Sequence, residues 1–170
     1  GLMDVRVHPT NGWIYLSVAD PAEEGGPGQG AMTKVYRGKI DFSQGGAAWT
    51  NTEVIWETDQ QYYRTAGVHF GCKIVFDGEG HVFFSVGERG TNMGVQESVM
   101  NPYGKIMRLN LDGTIPDDNP IPGSATWTTG HRNPQGLAFD LEGNLWGTEH
   151  GPRGGDEVNL IVPTSNYGWP

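Results

Sequence analysis

Three stretches of the chain repeat one pattern of two strands joined by a glycine-containing turn. Each stretch begins with alternating apolar residues and ends in a run rich in aromatic and β-branched residues. The three stretches are residues 2–18, 71–86 and 136–149. Their turn glycines, at positions 12, 80 and 143, lie 68 and 63 residues apart. A repeat of this kind predicts that the chain is built from successive copies of one small β unit.

Further strands are predicted after each of these hairpins. Third-strand candidates follow in all three units, and fourth-strand candidates follow in the first two. The third strands are residues 34–38, 105–109 and 157–161, and the fourth strands are residues 53–56 and 125–129. Four antiparallel strands per unit predict an all-β fold, a β-propeller of four-stranded blades. The period exceeds the usual length of about 40 to 50 residues, and the excess lies in the loops 20–31 and 87–101.

The predicted strands indicate that residues 1–170 form one partial propeller domain with about two and a half blades. We predict blades at residues 1–66 and 67–130 and an incomplete blade at residues 131–170. Since propellers close their ring with about four to eight blades, we expect the chain to be a segment of a longer protein. A sandwich or barrel of about eleven strands would fit the strand count, but it leaves the repeat unexplained.

The composition excludes several classes of function. A net charge of −9 argues against a nucleic-acid partner, because phosphate contacts require clustered Lys and Arg. No stretch of about 18 apolar residues is present, so no membrane span is predicted. The single cysteine, Cys72, excludes an internal disulfide and a multi-cysteine zinc site. Its apolar surroundings indicate a small buried side chain.

The segment from Gly130 to Pro170 carries the greatest density of polar, conformationally special residues. Arg132 and Asn133 precede an apolar strand and offer a planar cation and an amide. Such a pair would suit a planar, oxygen-rich anion such as a quinone that carries carboxylates. Gly, Pro, Asn and Asp are also common in ordinary turns, so turn chemistry alone is an alternative explanation of this segment.

A second polar stretch in this segment suggests a metal site. The backbone carbonyls of Gly151 and Pro152 are hard oxygen donors of the kind that calcium takes. Asp156 and Glu157 follow closely and could complete or orient such a site. Alternatively, Arg153 and Asp156 form a surface ion pair, which contributes only about 0 to 1 kcal/mol.

His69 stands just before the strand that starts at Gly71, near the position equivalent to Asn133 in the next unit. A neutral imidazole can accept a proton near pH 7, and histidine is the commonest general base. The alternative is a histidine that is hydrogen-bonded at the start of a strand.

His131 and His150 lack metal-type spacing, so neither is given a zinc role. The stretches 87–90, 112–113 and 117–120 are interpreted as turns and loops.

Three sequence motifs in the last segment resemble the glucose/sorbosone dehydrogenase family. They are GHRNPQGLAFD, TEHGPRGGDEVNLI and NYGWP. The stretches HFGCKIVFDGEGHVFFSVGERG and GKIMRLNLDGTIPDDNP resemble the family as well, so the resemblance covers nearly the whole chain. It implies a six-bladed propeller and an aldose sugar dehydrogenase that depends on pyrroloquinoline quinone and calcium.

The resemblance also implies roles for particular residues. His69 would take the proton from the anomeric hydroxyl of the sugar while hydride passes to the quinone. Arg132 would polarise a quinone oxygen, and Asn133 would hold the cofactor. The carbonyls of Gly151 and Pro152 would bind the calcium ion. A last position, Asp156, matches an acidic residue that lines the same cleft in the family and is assigned to the cofactor.

The implied reaction converts an aldose sugar to a lactone, and the implied location is periplasmic or secreted. The electron acceptor is not indicated. Val68 stands where glucose-specific members carry an acid, which leaves the orientation of the base open. Other cofactor contacts of the family would come from outside this chain. A non-catalytic propeller binding module and a purely structural scaffold are the alternatives, and the joint presence of the residues named above favours the enzyme.

Overall fold

The computed structural model describes residues 1–91, 94 and 96–169. Within this part the regular structure consists of β-strands and one short 3₁₀ turn, Gln60–Tyr62. The strands are β1 Leu2–Val7, β2 Ile14–Pro21, β3 Ala31–Asp41, β4 Ala48–Trp56, β5 Gly71–Phe76, β6 His81–Val86, β7 Lys105–Asn110, β8 Thr126–Thr128, β9 Pro134–Phe139, β10 Leu145–Glu149 and β11 Glu157–Leu160. Positions 92, 93 and 95 of the predicted loop 87–101 lie outside the described residues.

The strands form three separate antiparallel sheets in chain order. The first sheet is β1-β2-β3-β4, the second is β5-β6-β7-β8, and the third contains β9, β10 and β11. Consecutive strands pair in each sheet, as in a propeller blade. The structure therefore confirms the predicted all-β fold of four-stranded antiparallel blades with an incomplete third unit. The limits of the blades at residues 66 and 130 stay a prediction.

The first sheet extends further than the sequence predicts. β3 and β4 are 11 and 9 residues long, so both reach well beyond the predicted limits. Their outer halves pair through Lys39, Ile40 and Asp41. At the bend between the two halves, the ring of Trp49 packs so closely on Gly38 that a Cβ there would lie 2.3 Å from it. The aromatic ring thus fills the space that a side chain at position 38 would take.

The sheets stack through the alternating side chains of β6. Val82, Phe84 and Val86 belong to the core cluster that the second sheet shares with the first. Phe83 belongs instead to the cluster shared with the third sheet, beside Leu137. Successive side chains of a strand point to opposite faces, so β6 contributes to both cores. Five of the six residues of β6 are buried, as are five of the six residues of β7.

Hydrogen bonds between neighbouring sheets fix their relative positions. Arg6 Nε donates to the carbonyl of Ile74 at 3.0 Å, and Ser85 Oγ donates to the carbonyl of Pro134 at 3.0 Å. Ser17 Oγ donates to the carbonyl of Cys72 at 2.6 Å, and the Cys72 side chain is buried between the first and second sheets. Such bonds satisfy backbone groups that the stacking removes from water.

The two outer faces of the stack remain apolar and exposed. On β1, Val5 and Val7 are 57% and 64% exposed. On the third sheet, Trp146 pairs with Leu160, and both are exposed beside Val158 on the face opposite the core. These are the faces on which neighbouring blades pack in a propeller. No helix of the described residues is long and apolar enough to cross a membrane.

Candidate active site

The predicted site residues lie at one end of the stacked sheets. In an antiparallel hairpin, the start of the first strand is adjacent to the end of the second. Gly71 accordingly pairs with Val86, and Pro134 pairs with Glu149. The residues just before β5 and β9 therefore meet the residues just after β6 and β10. This register brings His69 and Arg132 to the same end of the molecule.

The imidazole of His69 is held by a buried carboxylate. His69 Nδ1 contacts Oε1 of Glu88, whose side chain is only 3% exposed. An ionised Glu88 carboxylate accepts a hydrogen bond from Nδ1–H, and that tautomer leaves the lone pair on Nε2. Within the described part of the chain, Nε2 makes no hydrogen bond, and the side chain is 21% exposed. The arrangement therefore presents Nε2 as a proton acceptor on an accessible surface.

Glu88 also connects His69 to Arg132. The backbone N–H of Glu88 donates to the carbonyl of Arg132 at 2.8 Å. The preceding residue, Gly87, lies between the two segments. A Cβ at position 87 would lie 2.0 Å from the carbonyl oxygen of His69 and 3.2 Å from that of Arg132. Only glycine permits this approach, so the sequence at position 87 decides how close the two functional segments come.

Arg132 is oriented by the segment that follows β10. Its Nη1 donates to the carbonyl of His150 at 2.9 Å, and its backbone N–H donates to Oε2 of Glu149 at 3.0 Å. The guanidinium lies 5.2 Å from the ring of Trp169. Its Nε is buried without a hydrogen-bond partner among the described residues. Arg132 thus keeps an unused donor and a positive charge at this site.

The neighbouring His131 is buried, whereas Arg132 lines a cavity. His131 is 1% exposed, stacks on the ring of Tyr167 at 4.6 Å, and lies 2.8 Å from the hydroxyl of Thr128 through Nε2. The side chain of Arg132, by contrast, lines the cavity beside residues 150–152.

Arg132 lines a cavity of about 130 Å³. The cavity is also lined by the loop between β10 and β11 and by the end of the described chain. These residues are Glu149, His150, Gly151, Pro152, Gly154, Gly155, Glu157, Tyr167, Gly168 and Trp169. Trp169 Nε1 is a second buried donor without a partner among the described residues. Arg132 thus places a cation on the cavity wall, and two buried N–H groups of the lining residues lack partners among the described residues. A positive charge at this position suits an oxygen-rich anion.

The predicted calcium ligands lie on the wall of this cavity. In the described part of the chain, the carbonyls of Gly151 and Pro152 accept no hydrogen bond, and both residues lie outside the strands. Gly151, Pro152 and Glu157 line the same cavity, and carbonyl and carboxylate oxygens are the ligands that calcium takes. The described residues contain no cluster of three or more His, Cys, Asp or Glu side chains that could hold a metal. A metal here would depend on the backbone oxygens.

Asn133 and Asp156 are used partly by the protein itself. Oδ1 of Asn133 accepts from the backbone N–H of Gly71 at 3.2 Å and from Nε2 of Gln135 at 2.8 Å. Its Nδ2 group makes no hydrogen bond within the described part. Asp156 Oδ1 accepts from the N–H of Gly151 at 2.9 Å, and this bond and the contact with His150 lower the pKa of Asp156. Asp156 shapes the loop but does not line the cavity.

Sequence reasoning missed Glu88 because residues 87–90 were interpreted only as a turn. A usable signal existed in the register of the hairpin. An acid two residues after β6 must lie near a histidine two residues before β5, since Gly71 pairs with Val86. The roles of Glu149 and Trp169 depend on contacts between distant loops, and no local pattern of the sequence indicates them.

The chain is similar in sequence to known dehydrogenases. The sequence model of the family described as Glucose / Sorbosone dehydrogenase matches residues 1–170. The chain is 37% identical to the aldose sugar dehydrogenase YliI of Escherichia coli over 181 residues, which are 100% of this chain and 46% of that protein. It is 59% identical over 70 residues to quinoprotein glucose dehydrogenase B of Acinetobacter calcoaceticus, which covers 39% of this chain and 15% of that protein.

The fold is similar to a solved structure of the PQQ-bound form of an aldose sugar dehydrogenase from Streptomyces coelicolor. The TM-score is 0.85 at 27% identity, and the match covers 100% of this chain and 48% of that one. The chain thus spans about half the length of the relatives that it matches.

Proposed function

This chain belongs to the glucose/sorbosone dehydrogenase family, and from that membership we propose that it carries the general base and part of the cofactor site of an aldose sugar dehydrogenase. The proposed cofactors are pyrroloquinoline quinone and calcium. The names of a quinoprotein relative and of a PQQ-bound structural relative support the quinone. The single observation that carries the proposal is the His69–Glu88 pair beside Arg132. A periplasmic or secreted location, which the resemblance implies, is proposed with it.

Oxidation of an aldose to a lactone removes a proton from the anomeric hydroxyl and a hydride from the same carbon. Nε2 of His69 would take the proton, because Nδ1 is engaged with Glu88 and Nε2 is free. The buried carboxylate would stabilise the imidazolium that forms. When bound, the quinone would accept the hydride, and calcium would act on the quinone as a Lewis acid.

Other residues of the chain would bind and orient the cofactors. Arg132 would place its positive charge where negative charge develops during hydride transfer. The free Nδ2 of Asn133 would donate to the same group. Gly151 and Pro152 would hold calcium through carbonyls that the fold leaves unpaired. Asp156 would act on this site by fixing the N–H of Gly151, which holds the loop in shape.

A non-catalytic binding module is the competing function. It would need neither a free imidazole nitrogen backed by a buried carboxylate nor an adjacent buried donor on Arg132. Burying an ionisable group away from water is costly unless the group is paired. The pair with His69 offsets the cost of burying Glu88. If that pair transfers a proton, the burial also has a catalytic function.

The test uses the whole protein, loaded with quinone and calcium, and compares His69→Gln with Arg132→Ala. We expect His69→Gln to lower turnover by about 10²–10⁴-fold, the usual contribution of a positioned base. Its affinity for the quinone should stay near that of the wild type, because the imidazole acts on the sugar. Arg132→Ala should impair both turnover and quinone binding. Turnover is followed with an artificial electron acceptor, and binding is followed by titration calorimetry.

His81→Gln is a matched control. His81 also contacts a carboxylate, Asp77, at 2.6 Å, but it lies at the opposite end of β6. Its replacement should leave turnover unchanged. Wild-type turnover in His69→Gln, or an equal loss in His81→Gln, would exclude His69 as the base.

A further inference from the structure

Arg89 is a buried cation whose donors surround His69. Its side chain is 1% exposed. Nη1 donates to the carbonyl of Val68, and Nη2 donates to the carbonyls of Ala66 at 2.7 Å and Ala31 at 3.2 Å. The guanidinium also lies 3.4 Å from the centre of the Phe70 ring. One side chain therefore contacts the residues on both sides of the proposed base.

This burial is expensive for the protein. Among the described residues no carboxylate lies within ion-pair distance of Arg89, although the charge of Glu88 acts on it from farther away. The Nε of Arg89 is buried without a partner in this part of the chain. Burial lowers the pKa of Arg89 to about 10. Buried charges are usually paired, since the removal of an ion from water is unfavourable. A charge that is retained here without a carboxylate partner calls for a role in ordering the segment that it contacts.

The segment that Arg89 contacts has an unusual backbone. His69 adopts φ +54° and Gly71 adopts φ +66°. A positive φ is uncommon for a residue other than glycine, and strain of this kind persists only where the surroundings enforce it. The carbonyl before His69 and the ring after it are both fixed by Arg89. Rotation of this backbone would carry the imidazole away from Glu88.

We propose that Arg89 is a positioning residue for the general base and holds residues 66–70 in the conformation that brings His69 onto Glu88. Because Arg89 is only 1% exposed, it would act through His69 rather than on a bound ligand. The guanidinium is suited to this task, because its planar fork can bind several carbonyls while it stacks on an aromatic ring. The consequence for catalysis depends on the function proposed above, whereas the consequence for the geometry of His69 does not.

The experiment replaces Arg89 with Lys and with Met in the whole protein, loaded with quinone and calcium. Lysine keeps the charge but loses the fork and the stacking, and methionine keeps volume alone. We expect kcat to fall about 10²-fold in both variants, since a displacement of about 1 Å can have that effect. KM for the sugar and affinity for the quinone should change little, because the hydrogen bonds and the ring contact of Arg89 go to Ala31 and to residues 66–70 in the described part of the chain.

A second readout is independent of turnover. Proton NMR of the wild type should show a downfield signal from the Nδ1–H of His69, and His69→Gln identifies that signal by removing it. In the Arg89 variants the signal should vanish or shift upfield. If Arg89→Met fails to fold, Arg89→Lys decides the question on both readouts.

Arg108→Lys is the matched control. Arg108 is also buried, at 6% exposure, and lies 5.1 Å from the ring of Trp127, but its partners are Asp118 and His81. This variant should keep both kcat and the His69 signal. The proposal is overturned if folded Arg89→Lys retains wild-type kcat and the NMR signal, or if Arg108→Lys reproduces its losses. An inactive wild type that shows the signal refutes the proposed function while leaving the role of Arg89 testable by NMR.

Discussion

At the scale of single residues, buried ionisable side chains hold loops in place. Glu88, Arg89 and Lys105 are each at most 3% exposed. Each one binds a segment that has no regular secondary structure. Glu88 contacts the imidazole of His69, and Arg89 binds the carbonyls of Ala66 and Val68. Lys105 binds the carbonyls of Gln96 and Tyr103 in the loop that precedes β7. Loops at functional sites need such fixed partners, because they lack the hydrogen-bond ladder of a sheet.

Lys105 makes the stability of this region depend on pH. Its Nζ donates to the carbonyls of Gln96, at 2.8 Å, and Tyr103. Burial lowers the pKa of Lys105 to about 7, against about 10.4 in an unfolded chain. Between these values the unfolded state binds the proton and the folded state does not. The free energy of unfolding should therefore rise as the pH rises from about 7 to about 10.

Lys105→Met should remove this rise, which can be measured by urea unfolding at a series of pH values. Lys39→Met, at a partly exposed site beside Trp13, should keep it. A pH dependence that is identical in the wild type and in Lys105→Met would contradict the assignment.

The residue scale also shows where prediction from the sequence stops. His69, Arg132 and Gly151 could be nominated from a motif and from the chemistry of their side chains. Their proximity could not, because it depends on Gly87 and on the register of two hairpins. Glu88 was not predicted as a site residue for the same reason. It resembles an ordinary turn residue until the partner strand is known.

At the scale of elements, the end of β6 carries a tight packing constraint. Gly87 has no room for a Cβ, since the nearest atoms are backbone atoms of His69 at 2.0 and 2.6 Å. Gly87→Ala should therefore separate β6 from the His69 segment. We expect a loss of roughly 1–3 kcal/mol in stability and a fall in turnover, measured by thermal unfolding and by steady-state kinetics.

Gly67→Ala provides the comparison within the same connection. A Cβ at position 67 would meet nothing within 4 Å. This variant should unfold at the temperature of the wild type and keep its turnover. Equal effects of the two substitutions would mean that general loop flexibility, rather than the close approach at position 87, is responsible.

Element positions were largely predictable, and element lengths were less so. The hairpins follow from alternating apolar residues around a glycine, which is a local signal. The outer halves of β3 and β4 carry little apolar alternation and form because Trp49 packs on Gly38 across the pair. Contacts of that kind lie outside the local pattern. The predicted loops at residues 20–31 and 87–101 begin and end close to the limits of the observed strands.

At the scale of the whole molecule, three stacked sheets leave one apolar face at each end. Val158 is 72% exposed on the last sheet, beside Leu160 and Trp146. In a propeller this face packs against the next blade. Val158→Lys should therefore lower the Tm of the whole protein by roughly 5 °C or more, because burying an unpaired charge costs several kcal/mol. Leu141→Lys, at a fully exposed turn, should leave Tm unchanged. Equal Tm values for the two variants would show that the face is open to water.

The position of Cys72 makes its thiol a natural probe of how often the first two sheets separate. Its side chain is 1% exposed and lies 3.6 Å from the Thr33 hydroxyl. Burial also raises the pKa of the Cys72 thiol to about 11, so little thiolate exists at neutral pH. A thiol reagent can then reach the sulfur only during moments when the first two sheets separate. The rate of alkylation at position 72 thus counts those separations, and it does so without any engineered label.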